Sequence, residues 1–232
     1  MQSLLPPDTE SRAPKRRGWF ARVKPLRVVQ RAGLSLRYSY PSRNLLLIGQ
    51  PKSGTTWLRR MLCDVPGYIK WTPPTTEWWN DHPIRASDFD PPPVGYTVTR
   101  VHSAPTEENL EVLRSIARPY VILTRDLRDV AVSWAYFVDT SYFSAPQDIR
   151  ERDISGRLDY FIDVYLERFA AWQDGWVRGR NPDHGLVVRY EDAIADGPGV
   201  FERVLAHFGV VLREEQIAAI VEKHSFRRAT GR

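Results

Sequence analysis

Apolar positions along the chain fall into short continuous runs that alternate with stretches of helical spacing. Asn44–Gly49 (NLLLIG) is an uninterrupted apolar run stopped by Gln50-Pro51, the pattern of a strand buried on both faces. Tyr120–Thr124 (YVILT) and Leu186–Arg189 (LVVR) read the same way, and Tyr96–Val101 alternates weakly as a further strand. Between them the period changes. Thr55–Cys63 places Trp57, Leu58, Met61 and Leu62 at helical spacing, and Glu107–Ala117 is a helix that ends before Arg118-Pro119. Leu127–Val138 is helical. Leu158–Trp176 predicts one long amphipathic helix with Phe161, Val164, Tyr165, Phe169 and Trp172 on one side. Val200–Phe208 and Glu214–Glu222 complete the helices. Residues 64–95, rich in Pro, Trp and Asp, predict a long irregular segment. Strands alternating with helices imply an α/β fold with a central parallel sheet flanked by helices on both faces.

Composition narrows the classes. Hydrophobic residues are 42% and charged residues 26% of the 232, ordinary for a soluble globular chain. The single cysteine, Cys63, excludes a disulfide scaffold and a Cys-based zinc site. No apolar run approaches the roughly 20 residues of a membrane span, and no apolar leader core is visible, so no transmembrane segment or secretory signal is expected and a cytoplasmic location is. The net charge of +5 is unevenly spread. Residues 1–43 hold ten Lys/Arg against Asp8 and Glu10, a net of +8, which leaves −3 for the remaining 189 residues. The chain therefore divides into a basic, flexible N-terminal arm (1–43) and a slightly acidic body (44–232). The arm is either a solvated leader or a contact for an acidic lipid or protein surface. The acidic body argues against a specific nucleic-acid partner.

The chemistry concentrates at Gly49-Gln50-Pro51-Lys52-Ser53-Gly54-Thr55-Thr56-Trp57. A buried strand enters a glycine-containing loop and passes directly into a helix, whose first N–H groups and dipole form an anion site. Gly54 permits close backbone approach, Lys52 adds charge, and Ser53, Thr55 and Thr56 add hydroxyls. An ordinary strand–turn–helix junction would use those hydroxyls only as caps. The loop is not a Walker A sequence: Thr55 stands where that motif has its lysine, and the lysine here precedes Gly54 by two residues.

Pro51-Lys52-Ser53-Gly54-Thr55-Thr56-Trp57 resembles the 5′-phosphosulfate loop of the cytosolic-type sulfotransferases, which transfer a sulfuryl group from 3′-phosphoadenosine-5′-phosphosulfate (PAPS). Further segments follow in the family's order. Arg125-Asp126-Leu127-Arg128-Asp129-Val130-Ala131-Val132-Ser133 is similar to its 3′-phosphate segment, with Leu127 in place of a proline. Taken by themselves, Arg125 could equally pair with Asp129, and Ser133 could bond back to a helix carbonyl. Arg100-Val101-His102-Ser103-Ala104-Pro105 resembles the segment K-T-H-L-P, whose histidine is the catalytic base; Arg100 takes the lysine's place. Leu186–Asp192 resembles the strand end L-x-x-x-Y-E-D, and Ser225-Phe226 the pair S-F.

The resemblance covers residues from about 45 to 232 and implies a P-loop NTPase-like three-layer sandwich. It implies in-line sulfuryl transfer to a hydroxyl or amine of a small-molecule, lipid or carbohydrate acceptor, with PAP as product and no metal. It assigns His102 as base, with Lys52 and Arg100 stabilising developing charge. Lys52, Ser53, Gly54, Thr55, Thr56, Trp57, Arg125, Ser133, Tyr190, Ser225 and Phe226 would bind the nucleotide. Trp78, Trp79, Tyr136 and Phe137 would line the acceptor pocket, although a tryptophan-rich satellite core has the same signature. The family's segment R-K-G-x-x-G-D-W after S-F has no match in these residues, so a truncated chain or an enzyme without that 3′-phosphate clamp is expected. The competing readings are a P-loop nucleotide kinase, with Asp126 as its Mg²⁺ carboxylate, and a non-catalytic nucleotide-binding relative.

Overall fold

The computed structural model describes residues 33, 37–72, 83–89, 95–139 and 146–225. Trp78, Trp79, Phe226 and nearly all of the basic arm lie outside them. Five strands, β1 (Asn44–Gly49), β2 (Tyr68–Trp71), β3 (Tyr96–Val101), β4 (Tyr120–Thr124) and β5 (Gly185–Arg189), form one sheet in the order β2-β3-β1-β4-β5. Every pairing is parallel. The helices are α1 (Thr55–Asp64), α2 (Glu107–Ile116), α3 (Leu127–Phe137), α4 (Gln147–Arg150), α5 (Ile154–Val164), α6 (Leu166–Gly179), α7 (Tyr190–Ala195), α8 (Gly197–His207) and α9 (Glu214–Lys223).

β1 is central because both its faces are apolar. Leu46 and Ile48 enter one core with Val130 and Trp134 of α3, Phe161 of α5 and Trp172 and Trp176 of α6. Leu45 and Leu47 enter the opposite core with Leu58, Met61 and Leu62 of α1, Phe201 and Val204 of α8 and Ile217 of α9. These four side chains are 0–1% exposed, so truncating any of them to Ala should cost about 2–5 kcal/mol. The result is the three-layer arrangement that the alternating pattern predicts.

Three elements differ from the sequence reading. β2 lies inside the segment read as irregular; it is a four-residue edge strand with only Tyr68 buried, too short and too exposed to give an apolar run. The long helix is two helices, divided at Tyr165 (φ −114°, ψ −30°) although hydrogen bonds continue across the division. β5 ends at Arg189 as read, but Tyr190 then starts α7, a short helix that the sequence reading does not contain. Residues 38–43, read with the arm, pack on the body: Tyr40 stacks on Tyr68, the Tyr96 hydroxyl donates to the Tyr38 carbonyl, and the Thr97 amide donates to the Arg43 carbonyl.

The topology fixes where a ligand fits. From β1 the chain leaves toward β2, and from β4 it leaves toward β5. A crevice opens between the carboxyl ends of β1 and β4, the switch point at which open parallel sheets bind ligands.

Candidate active site

The β1–α1 loop is shaped by two glycines. Gly49 brings β1 against the first turn of α1, where a Cβ would meet Thr55 Cγ2 at 2.3 Å. Gly54 has φ 86°, and a Cβ there would lie 2.4 Å from the Tyr190 ring. Lys52 also takes a left-handed conformation (φ 71°), which turns the loop back on itself. Helices α2 and α3 are capped by the side chains of Thr106 and Asp126 and carry acids in their first turns. α1 has no side-chain cap and no acid there. Its N-terminus is thus left for an anion from outside the chain.

The cations of the crevice converge on this point. Lys52 Nζ sits 3.9 Å from the centre of the Phe137 ring, and burial, with Arg125 adding repulsion, holds its ammonium down to about 8. Arg125 lies 4.5 Å over the Tyr190 ring, donates from Nη1 to the Lys52 carbonyl at 3.0 Å, and has Asp129 at 4.0 Å. Its Nε is buried with no hydrogen-bond partner among the described residues. An uncapped helix start, a desolvated lysine and an unsatisfied guanidinium nitrogen fit the donor set of a phosphorylated nucleotide.

His102 stands at the end of β3, on the other side of β1. Its Nδ1 donates to the carbonyl of Gly49, the last residue of β1. A carbonyl can only accept, so Nδ1 carries the proton and Nε2 is the basic nitrogen. Arg100, on the same strand, donates from Nη1 to Thr56 Oγ1 at 2.7 Å, and burial, with Arg59 adding repulsion, holds its guanidinium down to about 10. The strand end is fixed from below: Trp172 Nε1 and Trp176 Nε1 both donate to the Ser103 carbonyl at 3.0 Å.

A third group lies at the far end of the loop. Trp57 meets Tyr190 edge-on at 6.1 Å and donates from Nε1 to the His224 carbonyl at 2.9 Å. His224 Nε2 pairs with Asp64 Oδ2 at 2.6 Å, tying the end of α9 to α1 beside Ser225.

The structure therefore gathers Lys52, Gly54, Thr55, Thr56, Trp57, Arg100, His102, Arg125 and Tyr190 around one loop. Ser53 differs from expectation in use: its hydroxyl is buried and donates to the Gln50 carbonyl at 2.7 Å, so it builds the loop. Ser133 is half-buried in the second turn of α3. Phe137 lies under Lys52, whereas Tyr136 is 63% exposed. One residue escaped the sequence reading. Gln173 of α6 donates from Nε2 to Gln50 Oε1 and to the Arg125 carbonyl (2.6 Å), bridging the β1–α1 and β4–α3 loops. It has no sequence signal, because a polar residue on an amphipathic helix reads as solvent-facing. Glu191, within the Leu186–Asp192 segment, has a use that the motif does not state: it accepts from the Asp126 amide at 2.8 Å.

This is a phosphate-loop α/β fold whose anion site lies at the sheet's switch point. Residues 42–231 match the sulfotransferase domain family, and the chain belongs to that family. Among curated relatives, mouse sulfotransferase 2B1 is 25% identical over 79% of this chain and 55% of its own length. Rat sulfotransferase 2A6 is 24% identical over 82% and 68%. The chain thus spans from about half to about two thirds of these relatives. Among solved structures, mouse sulfotransferase SULT7A1 complexed with PAP superposes with a TM-score of 0.64 at 18% identity, covering 88% of this chain and 72% of that one. Retinol dehydratase, in complex with androsterone and the inactive cofactor PAP, gives 0.57 at 18% identity, covering 87% and 69%. These likenesses establish the fold, the P-loop NTPase-like sandwich expected from the sequence. Among the described residues no helix is long and apolar enough to cross a membrane, and no three or more His, Cys, Asp or Glu side chains are grouped so as to hold a metal ion.

Proposed function

We propose that this protein transfers a sulfuryl group from PAPS to a hydroxyl or amine of an acceptor, with His102 as the base. The observation that carries the reading is the hydrogen bond from His102 Nδ1 to Gly49, which hangs a basic nitrogen from the root of an uncapped phosphate loop. PAPS supplies the sulfuryl group, and PAP is the leaving group. His102 Nε2 takes the acceptor proton as the acceptor oxygen or nitrogen bonds to sulfur and the bond from sulfur to the 5′-phosphate oxygen breaks. Lys52 and the first amides of α1 stabilise the charge that returns to that oxygen. Arg125 and Ser133 hold the 3′-phosphate, and Tyr190, Trp57 and Ser225 border the adenine ring. PAP in the two superposed structures supports the same ligand here.

The kinase reading gains nothing from the site. Asp126, its Mg²⁺ carboxylate, caps α3 through the Arg128 amide at 2.9 Å and pairs with the Arg128 guanidinium, which holds its carboxyl down to about 2. The test is incubation with labelled PAPS and a broad acceptor panel, with His102→Ala alongside. Transfer by the wild type, lost in His102→Ala while PAP still binds, is the expected result. Undiminished transfer by the variant removes His102 from its role, and PAP binding without transfer to any acceptor favours a non-catalytic relative.

A further inference from the structure

On the sheet face that α1 covers, three cations come together, and among the described residues no carboxylate pairs with them. Arg59 lies on α1 one turn beyond Thr56, on the same side of the helix. Lys70 of β2 pairs with Val98 of β3, and Arg100 follows Val98 by two residues, so all three project from one face of the sheet. Val98 is fully buried in the α1 core, which identifies that face. Arg100 reaches the helix through its bond to Thr56 Oγ1. Among the described residues, none of Arg59, Lys70 and Arg100 has a carboxylate in ion-pair range, whereas Arg125, Arg128 and Arg157 each have one.

Burial lowers the pKa of each; Arg59 adds to the shift of Arg100, and Arg59 and Arg100 both add to that of Lys70, while Cys63 beside them offsets part of the shift of Arg59 and Lys70. Like charges drawn partly out of water are a standing cost that a bound anion reverses.

Position decides which anion. The cations of the phosphate loop form a separate group: Lys52 is repelled by Arg125, and Arg100 by Arg59. Arg125 directly follows β4, on one side of β1, whereas Lys70 and Arg100 lie on β2 and β3, on the other side. His102 is two residues beyond Arg100, at the end of the strand that carries it.

We propose that Arg59, Lys70 and Arg100 form a subsite for an anionic group, a carboxylate or sulfate, carried by the acceptor beside the hydroxyl it presents to His102. The proposal rests on the sulfuryl-transfer reading for the identity of the reaction, and on the cation cluster alone for the anion. It defines the acceptor class as acidic rather than neutral.

The test is calorimetry on the full chain saturated with PAP, using 4-hydroxyphenylacetate and its neutral counterpart 4-hydroxyphenethyl alcohol as a matched pair. The wild type should bind the acid at least about fivefold more tightly than the alcohol. The preference should shrink with added NaCl. Arg59→Gln/Lys70→Gln should bring the ratio close to one and leave PAP affinity unchanged. Lys70→Gln alone, at an exposed edge-strand position, should halve the preference even if the double variant folds poorly. Equal binding of acid and alcohol by the wild type, binding of neither, or a preference that survives the double substitution overturns the proposal. Loss of PAP in step with loss of the acid does so too, by assigning the cluster to the donor. If the wild type fails to bind PAP, the sulfuryl-transfer reading falls, and the same acid-to-alcohol ratio on the PAP-free chain still decides the anion subsite.

Discussion

If Lys52 faces the 5′-phosphate as proposed, it should make PAP binding pH-dependent in a direction set by its surroundings. Its ammonium is drawn into the crevice over Phe137 and beside Arg125, which holds its pKa down to about 8 against the usual 10.5. A 5′-phosphate would restore the charged form, because an anion beside the ammonium offsets both burial and Arg125. PAP binding should therefore take up a proton above pH 8. A group titrating near 8 is about nine-tenths charged at pH 7 and about one-tenth charged at pH 9, so the apparent Kd for PAP should weaken up to about tenfold over that interval. The site is half-open to water, and screening trims the effect to about three- to tenfold. The phosphates of PAP add little, since phosphate monoesters, with a second pKa near 6, are about nine-tenths doubly ionised by pH 7.

Stability of the unliganded chain moves the other way. The folded pKa lies below the unfolded one, so the penalty for a charged Lys52 is complete below about pH 8 and is relieved as pH rises toward 10.5. Calorimetric titration of PAP at half-unit steps from pH 7 to 9, with circular dichroism to confirm folding, reads both trends. Lys52→Met keeps an apolar stem over Phe137 and should bind PAP weakly with a nearly flat profile. A flat wild-type profile, or an equal slope in Lys52→Met, refutes the argument.

Gly54→Ala places a Cβ 2.4 Å from the Tyr190 ring at φ 86°; thermal melting should show a loss of about 1–2 kcal/mol from the backbone alone, and PAP affinity should drop more than about tenfold. Gln173→Ala removes the bridge between the two loops and should weaken PAP about three- to tenfold in an isothermal titration, with a small change in Tm. Gln173→Glu should be worse, because its carboxylate would face the Arg125 carbonyl and Gln50 Oε1. Arg157 is buried and bidentate to Asp139 at 2.6 and 2.8 Å; Asp139→Ala should cost about 1–3 kcal/mol in a denaturant melt and leave PAP affinity intact.

What the sequence disclosed follows from how each feature is held. β1 and β4 are continuous apolar runs because helices cover both faces of the sheet, and burial on two sides leaves an unambiguous trace. The phosphate loop was legible because its function needs Gly54 at a left-handed turn, directly between a buried strand and a helix. β2 left no trace, since an edge strand with Lys70 exposed and Trp71 half-exposed has the composition of the loops around it. Ser53 shows a different gap. Its position in the motif points to a phosphate, but its hydroxyl closes the turn on Gln50. The bridge at Gln173 could not be read at all, because its partners are 123 and 48 residues away in the chain.

One helix supports both halves of the candidate site. From α6, Trp172 and Trp176 fix the Ser103 carbonyl, one residue past His102, the proposed base, while Gln173 fixes Gln50 and the Arg125 carbonyl, on the proposed donor side. The two tryptophans are fully buried between α6 and the sheet, so their N–H groups have few other positions open to them. The distance from His102 to the phosphate loop is thus set twice, directly through Gly49 and indirectly through α6. A displacement of this helix cannot shift one half of the site without the other. That coupling gives a reason for the four hydrogen bonds that α6 donates to the two loops and the strand end, at positions where, under the proposed function, a reacting geometry has to be held to within a fraction of an ångström.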